Sequence, residues 1–357
     1  MKSSDLAQLR LVNQRLSTSD RKIKSLVAYM GAMQAQDPLM CRWAVGIRIP
    51  GCTEQDVVNA ISKGEIIRTH VLRPTWHLVA PEDLRWMLAI TAPRIISNMK
   101  ARLKELELTE AIFRKSNKLL EKELGKGASL SRDELQPFFE RAKIPTDLNR
   151  LSHLLFRAEL EGLICSGETP KGRHTYSLFD NRIPATKAID KEEAYARLAE
   201  RYFISHGPAT LVDFTWWSGL SAGEAKKGLE AVRKDFSSYT VKDQTYWFRE
   251  TKAVNKENEG VFLLPAYDEF IISYKDRSAV LDKEHMSRSI SMNGIFKPVV
   301  VVKGRVAGLW KRSIVKDTVK IEIELFSKTS DQLKKRLQKS ADEYGAFLGK
   351  KAVSSFV

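Results

Sequence analysis

Two glutamines that stand one residue apart, Gln34 and Gln36, are side chains whose type and spacing suggest chemistry. Each carboxamide offers an acceptor oxygen and two donor protons, so a pair can hold a water molecule or a sugar without ionising. An apolar run with the spacing of one buried helix face precedes them: Ile23, Leu26, Val27, Met30 and Met33. Because Pro38 disfavours helix in the residue before it, we expect this helix to end near Gln36, where the two amides can converge. The alternative is an ordinary polar helix terminus.

The net charge of the chain limits the class of partner. Lys and Arg number 59 against 44 Asp and Glu, which gives a formal charge of +15 over 357 residues. Such an excess, spread along the chain, attracts polyanions, and nucleic acid is the commonest of these in a cytosol. No apolar run approaches the ~20 residues of a membrane span, and the N-terminal residues lack the apolar segment of a signal peptide.

The cysteines and histidines indicate neither disulfides nor a metal centre. Cys41, Cys52 and Cys165 are odd in number and lack metal-ligand spacing, so we interpret them as reduced thiols. The six histidines form no H-x-x-x-H pattern. We therefore expect a cytoplasmic protein that needs no metal, no cofactor and no membrane.

Polar and basic side chains cluster in a predicted hairpin downstream of the glutamines. Thr75 and His77 share one strand face, because successive side chains of a strand alternate between faces. If that face opens toward the glutamines, His77 can bind a phosphate or orient a sugar; otherwise it is a hydrogen-bonded core histidine. Arg68 and Arg73 favour a hairpin that faces DNA, since phosphate contacts come mainly from Arg and Lys. Arg42 joins these candidate DNA contacts.

Two further basic stretches are candidate DNA contacts. The loop Lys171-Gly-Arg173-His174 is short, basic and loosened by glycine, although a solvated loop is an equal alternative. Lys311 and Arg312 follow Trp310, which belongs either to a DNA channel or to the core. In the same C-terminal part of the chain we expect Asp268 to form a structural pair with Arg277.

Three successive stretches share one order of predicted elements: helices, then two short strands around a polar loop. Helix starts of the S/T-x-x-D/E type are predicted at Thr53, Ser131 and Ser221. The predicted hairpins are Glu65 to Arg68 with Thr75 to Val79, Leu163 to Cys165 with Thr175 to Phe179, and Ser238 to Val241 with Tyr246 to Arg249. This order is that of the winged-helix variant of helix-turn-helix, in which the helix before the hairpin commonly reads DNA. Winged helices also serve as plain interaction modules, and that alternative stays open.

The C-terminal part, from about Glu259, is different in kind. Its residue pattern predicts strands at Val261 to Pro265, Phe296 to Val302, Arg305 to Trp310 and Lys320 to Leu325, and a closing helix from Asp331 to Leu348. No long linker separates it from the rest. We therefore predict a helix-rich α+β fold packed into one body: winged-helix units at residues 1–105, 106–188 and 189–256, and a C-terminal α/β segment at residues 257–357.

Several sequence motifs occur in a fixed order over nearly the whole chain: Gln34-Ala-Gln36, Arg73-Pro-Thr-Trp-His-Leu-Val79, Leu263-Leu-Pro-Ala-Tyr-Asp-Glu-Phe270 with Tyr274-Lys-Asp-Arg277, and Gly304-Arg-Val-Ala-Gly-Leu-Trp310. In this ordered set the chain resembles the bacterial winged-helix DNA glycosylases of the AlkZ type, which release alkylated bases and unhook interstrand crosslinks. The resemblance implies a concave, positively charged DNA channel and places Gln34 and Gln36 on the family's catalytic pair. A related branch has Asp at the second position; here Asp37 comes one residue later.

The implied chemistry suits amides. A purine alkylated at N7 or N3 is positively charged and already a good leaving group, so its glycosidic bond breaks through an oxocarbenium-like sugar. Preorganised amide dipoles can stabilise that cation and hold a water. We expect a monomeric, monofunctional DNA glycosylase that excises positively charged N-alkylated purines from double-stranded DNA. The alternative is a non-catalytic winged-helix DNA-binding or regulatory protein; a nuclease is disfavoured because no clustered Asp/Glu set suits Mg²⁺.

Overall fold

The computed structural model describes residues 3–16, 22–241, 243–250 and 260–357. It has the helix-rich α+β fold that the sequence predicts. The helices are α1 (Ser3–Asn13), α2 (Ile23–Met30), α3 (Met40–Gly46), α4 (Glu54–Ser62), α5 (Pro81–Asn98), α6 (Lys100–Glu105), α7 (Glu110–Leu124), α8 (Arg132–Arg141), α9 (Arg150–Leu160), α10 (Lys191–His206), α11 (Leu211–Ser218), α12 (Ala222–Val232), α13 (Glu269–Ile272), α14 (Met286–Ser289) and α15 (Asp331–Phe347). The strands are β1 (Ala32–Gln34), β2 (Ile67–Val71), β3 (Thr75–Val79), β4 (Ile164–Ser166), β5 (Tyr176–Leu178), β6 (Ser237–Val241), β7 (Gln244–Phe248), β8 (Val261–Leu264), β9 (Val299–Val302), β10 (Arg305–Val315), β11 (Thr318–Leu325) and β12 (Lys351–Phe356). Within the described ranges no helix is long and apolar enough to cross a membrane.

The first hairpin, β2–β3, carries a third strand that the sequence pattern did not reveal. β1 pairs antiparallel with β3, with Gln34 opposite His77, and completes a sheet of order β1-β3-β2. The prediction that the preceding helix runs to Gln36 is wrong, because α2 ends at Met30. Gly31 has a φ of 75°, which side-chain-bearing residues rarely adopt, and from there the chain continues extended.

The two later hairpins, β4–β5 and β6–β7, are antiparallel pairs that follow their helices in the predicted order. The predicted helix starts are confirmed as capping boxes: Thr53 with Asp56, Ser131 with Glu134, and Ser221 with Glu224. Local sequence sets these starts, since the capping side chain reaches a backbone N–H only three residues away. The predicted turn of the third hairpin includes Lys242, which lies outside the described residues.

The C-terminal part forms a five-stranded sheet of order β12-β11-β10-β9-β8. The predicted strands are present, and β10 continues past its expected end at Trp310 to Val315. β12 was not predicted. It follows α15 and pairs in parallel with β11, because α15 leads the chain back to the start of that strand. Helix α15 buries Leu337 and Tyr344 against this sheet.

Hydrophobic cores that cross the predicted unit boundaries hold the chain in one body. One core combines Trp86, Phe156 and Phe203, which come from the first, second and third units. Another joins Met33, next to the glutamines, to Val300 in the C-terminal sheet. The unit boundaries themselves remain predictions, and the one between residues 256 and 257 lies outside the described residues.

A buried ion pair links the first unit to the C-terminal part. Arg48 Nη1 and Nη2 donate to Asp268 Oδ2 and Oδ1 at 2.8 and 2.9 Å, and neither side chain is exposed to solvent. The predicted pairing of Asp268 with Arg277 is therefore wrong. Arg277 instead lies over the rings of Trp216 and Phe296. Because Asp268 also caps α13 by accepting from Phe270 N, Arg48 fixes the start of that helix.

Candidate active site

The two glutamines lie at the edge of the first sheet. Gln34 is only 3% exposed, and its Nε2 lies 3.3 Å from Thr75 Oγ1 while its Oε1 accepts from Ala35 N at 3.2 Å. Gln36 is exposed, and its Oε1 accepts from the backbone N–H of Trp76 at 3.4 Å. The strand β3 therefore orients both amides, one buried and one facing solvent.

Both glutamines follow an extended backbone, since β1 ends at Gln34 and Gln36 lies two residues further on. Side chains at i and i+2 share a face in a strand, whereas in a helix they point in different directions. Ala35 N donates to Trp76 O at 2.7 Å, so the pairing with β3 continues past the end of β1. The segment that carries both glutamines is therefore a strand and its continuation, not the unwinding helix end that we expected.

Asp37 has a structural task in this segment. Its Oδ1 accepts from the backbone N–H groups of Leu39 and Met40, at 2.9 and 3.0 Å, where the chain turns into α3. A carboxylate that satisfies free N–H groups at a helix start stabilises that start. Asp37 Oδ1 is therefore engaged in helix capping.

A buried carboxylate lies directly behind Gln34. Glu269 Oε1 accepts from the backbone N–H of Gln34, and Ser273 Oγ donates to Glu269 Oε2. Trp217 Nε1 and His206 Nε2 lie 3.2 and 3.3 Å from the same Oε2 atom. Glu269 is 2% exposed, so four hydrogen-bonding groups replace the water that it would otherwise bind.

The hydrogen bonds keep this carboxylate ionised. Burial alone would raise the pKa of Glu269, but hydrogen bonds and charge from His206, together with those from Ser273 and Gln34 N–H, lower it to about 2. Burial lowers the pKa of His206, whereas its hydrogen bond to Glu269 and the charge of that carboxylate oppose this shift. An ionised carboxylate therefore lies directly behind Gln34.

His77 and Arg73 complete this face of the hairpin. Carbonyl oxygens only accept, so His77 Nδ1 donates to Thr75 O at 2.9 Å, and its Nε2 has no hydrogen-bond partner among the described residues. Burial, then the neighbouring charge of Arg73, lower the pKa of His77 to about 3. His77 is thus a neutral acceptor at the site. The Arg73 guanidinium lies 5.5 Å from the Trp216 ring.

Two of the predicted DNA-contacting arginines are held by internal contacts. Arg68 is 7% exposed; its Nε and Nη2 donate to Ala35 O at 3.2 and 3.0 Å, and its guanidinium lies 4.1 Å from the Trp76 ring. Arg42 donates to Glu54 and to Gly172 O. The side chain of Arg68 thereby fixes the backbone between the glutamines.

The other predicted DNA contacts make no hydrogen bond to Gln34 or Gln36. Lys171 and Arg173 are exposed in the second hairpin loop, where Arg173 pairs with Glu134, while His174 packs edge-on against Trp76 with a ring distance of 4.9 Å. Lys311 and Arg312 belong to β10. Trp310, beside them, is buried in the core.

Sequence reasoning missed Glu269 as a member of the site. The available signal was an acidic residue within the apolar stretch from Leu263 to Phe270, because buried carboxylates are rare unless they have partners. Its proximity to Gln34 could not be predicted, since 235 positions separate the two residues in the chain.

This α+β protein consists of helix–hairpin units and a C-terminal sheet, and its first sheet holds two glutamine amides at one edge. The chain belongs to the AlkZ-like DNA glycosylase family, whose model matches residues 27–347. The interstrand DNA cross-link repair glycosylase of Streptomyces sahachiroi is 24% identical over 306 residues, which cover 80% of this chain and 81% of that protein. The solved structure of the Streptomyces sahachiroi DNA glycosylase AlkZ matches with a TM-score of 0.82 and 20% identity, and the match covers 100% of both chains. The family resemblance and the α+β fold are confirmed.

Proposed function

We propose that this protein is a monofunctional DNA glycosylase that excises positively charged N-alkylated purines, of the N7-alkylguanine and N3-alkyladenine type, from double-stranded DNA. The observation that carries the proposal is the amide pair of Gln34 and Gln36, with the ionised Glu269 directly behind it. The site offers polar acceptors and negative charge but no strong acid. It therefore suits a lesion whose base is already charged and leaves without being protonated.

Each group has a distinct role in this proposal. Gln36, which is exposed, holds the attacking water and faces the sugar. Gln34 is fixed by Thr75 and Ala35 N–H and orients the amide pair. Glu269 does not touch the substrate; its charge favours the oxocarbenium-like transition state because electrostatic interactions are strong in a buried, water-poor site.

We propose that the three helix–hairpin units are winged helices that contact DNA as a monomer in the cytoplasm. The formal charge of +15 supports binding to the phosphate backbone. The β10–β11 hairpin supports it as well: it exposes Ile314 and Val315, 48% and 50% accessible, beside Lys311 and Lys316. Apolar side chains on a basic protrusion suit insertion between bases.

We further propose that the enzyme unhooks interstrand crosslinks, because its Streptomyces sahachiroi relative is an interstrand DNA cross-link repair glycosylase. An interstrand link between two N7-alkylated guanines presents the same charged leaving group on each strand. The exposed position of Gln36 leaves room for a bulky adduct. Denaturing gels of a crosslinked duplex test this step, because cleavage of one glycosidic bond separates the strands.

The principal experiment is incubation of the protein with duplex DNA that contains N7-methylguanine. Chromatography should detect free N7-methylguanine, and unmodified DNA should release no base. A non-catalytic regulator instead leaves every base in place and prefers one sequence. Absence of base release from both N7-methylguanine and N3-methyladenine DNA would overturn the proposal.

Affinity for duplex DNA should fall steeply as salt rises, with a log–log slope of several units, because each neutralised phosphate releases counterions. Replacing the exposed Lys171 and Lys316 by Gln should reduce the slope by about one unit for each lysine. Replacing both by Arg keeps the charge and should preserve the slope. A flat salt response of the parent protein would contradict an electrostatic channel. Competition with unrelated sequences should show no preference.

We expect no lyase activity, because a lyase needs an amine nucleophile with a depressed pKa. The stretch from Met30 to Leu39 contains no lysine. The product should be an uncut abasic strand that breaks only on alkali treatment. Borohydride should trap no protein–DNA adduct, and a glycosylase with a lysine nucleophile serves as the positive control. A trapped adduct would contradict this expectation.

The excision rate should be nearly constant from about pH 5.5 to 8.5, because the Glu269 carboxylate and the His77 imidazole both have pKa values far below that window and do not titrate in it. The pKa of Glu269 is about 2 and that of His77 is about 3. Gln36→Glu supplies the control: it should introduce an acidic limb at about pH 4.3, the ordinary carboxyl pKa. A limb near neutral pH in the parent would point to a titrating base.

A further inference from the structure

A cavity of about 610 Å³ lies between the first hairpin and α9, and the proposed excision chemistry does not use it. We call it the aromatic pocket, and its walls include His70, Trp76, Phe156 and Tyr176. Because side chains alternate along β3, the Trp76 ring lies on the sheet face opposite Thr75 and His77. The aromatic pocket is therefore separate from the face that holds Gln34.

The walls of the aromatic pocket are flat rings held at fixed angles. The His70 ring lies 4.0 Å from the Trp76 ring and 4.4 Å from the Phe156 ring, centroid to centroid. Arg68 covers Trp76 at 4.1 Å. Rings held by these contacts form a fixed apolar wall, so a planar ligand can pack against it with little loss of side-chain entropy on binding.

A buried carboxylate sets the orientation of His70. Glu159 has a fully buried side chain; its Oε2 lies 2.7 Å from His70 Nδ1, and its Oε1 accepts from Thr69 Oγ1 at 3.0 Å. Because a carboxylate only accepts, Nδ1 carries the proton. The opposite nitrogen, Nε2, makes no hydrogen bond among the described residues. It offers one polar contact to a ligand in an otherwise aromatic cavity.

Positive charge borders the aromatic pocket. Arg132 lines it, is exposed, and forms no ion pair within the described part of the chain. Arg102 also lines it and pairs with Glu105, but both side chains are more than half exposed, so that pair is weak. Two guanidinium groups beside stacking rings complement a ligand that joins a planar base to a phosphate.

We propose that the aromatic pocket binds a nucleotide, with its base along the aromatic wall and its phosphate at Arg102 and Arg132. The nucleotide comes either from DNA bound to the enzyme, as a base extruded from the duplex, or from solution. The pocket adjoins the glutamines through Trp76: the ring of Trp76 lines the pocket, and its backbone N–H donates to Gln36 Oε1. It binds a base without excising it, so this proposal goes beyond the proposed glycosylase activity.

Titration of the full chain with deoxyadenosine monophosphate tests the proposal directly. Calorimetry should give a dissociation constant below about 1 mM, as stacking together with a charged phosphate contact supports. Ser152 lines the pocket from α9 and is half-buried, so Ser152→Trp fills the cavity without truncating a wall. It should weaken binding at least about tenfold, the scale of one lost stacking contact. Ser152→Ala is the matched control and should stay within about twofold.

Arg132→Gln provides a second variant that does not depend on filling the cavity. It should weaken binding of the monophosphate but not of deoxyadenosine, since only the former has the phosphate. A duplex with a single 2-aminopurine separates the two sources: fluorescence that rises with the parent but not with Ser152→Trp identifies a base extruded from DNA. Unchanged fluorescence with intact monophosphate binding identifies a free nucleotide. Equal monophosphate binding by the parent and both variants, or none by the parent, overturns the proposal, whatever the excision assay shows.

Discussion

Gln36→Ala is expected to lower the single-turnover excision rate on N7-methylguanine DNA by roughly one to three orders of magnitude, the scale of one lost preorganised dipole. The exposed amide holds the attacking water in our proposal, and alanine leaves that water unbound. Affinity for the same DNA should barely change, because the lost interaction belongs to the transition state. Quantification of free base under enzyme excess, with a parallel binding titration, measures both quantities.

Gln34→Ala should have the same effect or a somewhat smaller one, because Gln34 is buried and acts by orienting the pair. Asp37→Asn is the matched control, since asparagine keeps the oxygen that accepts from Leu39 and Met40. It should stay within about threefold of the parent. If Asp37→Asn abolishes excision while Gln36→Ala leaves it intact, the carboxylate is the catalytic group and the assignment of the glutamines is wrong.

Glu269→Gln is expected to reduce excision by about ten- to a hundredfold while DNA affinity remains unchanged. The carboxylate accepts hydrogen bonds from Gln34 N–H, Ser273 and Trp217. A carboxamide has one acceptor oxygen, and its own N–H groups oppose these donors. The substitution therefore removes the negative charge and disturbs the support of Gln34. Rates should be measured below the melting temperature of the variant, because a buried unpaired donor also destabilises the fold.

A double-mutant cycle distinguishes a positioning role of Glu269 from a general loss of stability. If Glu269 acts through Gln34, adding Glu269→Gln to Gln34→Ala should cost less than the product of the two single losses. Ser273→Ala removes one donor to Glu269 without touching Gln34 and should change the rate only slightly. Full activity of a folded Glu269→Gln protein would remove Glu269 from the mechanism and leave the role of Gln36 untouched.

Features that depend on neighbouring residues could be predicted from the sequence alone. Apolar periodicity located the closing helix α15, and the capping boxes at Thr53, Ser131 and Ser221 marked the starts of three others, because a capping bond spans only three residues. The family could also be recognised, because motifs such as Gln34-Ala-Gln36 consist of consecutive residues and their order along the chain is visible in the sequence. The α+β class followed from the order of these local elements.

Only the tertiary structure determined how the site is built, because its decisive hydrogen bonds join residues distant in the chain. The segment from Ala32 to Gln34 is a strand because β3 supplies its backbone partners, and no local pattern contains that information. Arg68 looked like a surface cation, yet it is buried because Ala35 O lies within its reach. Glu269 reaches Gln34 because Arg48 holds Asp268 at the start of α13. Hydrophobic periodicity shows which face of an element is buried, but not which other element packs against that face. The packing of α13 against the first sheet is what places the Glu269 carboxylate behind Gln34.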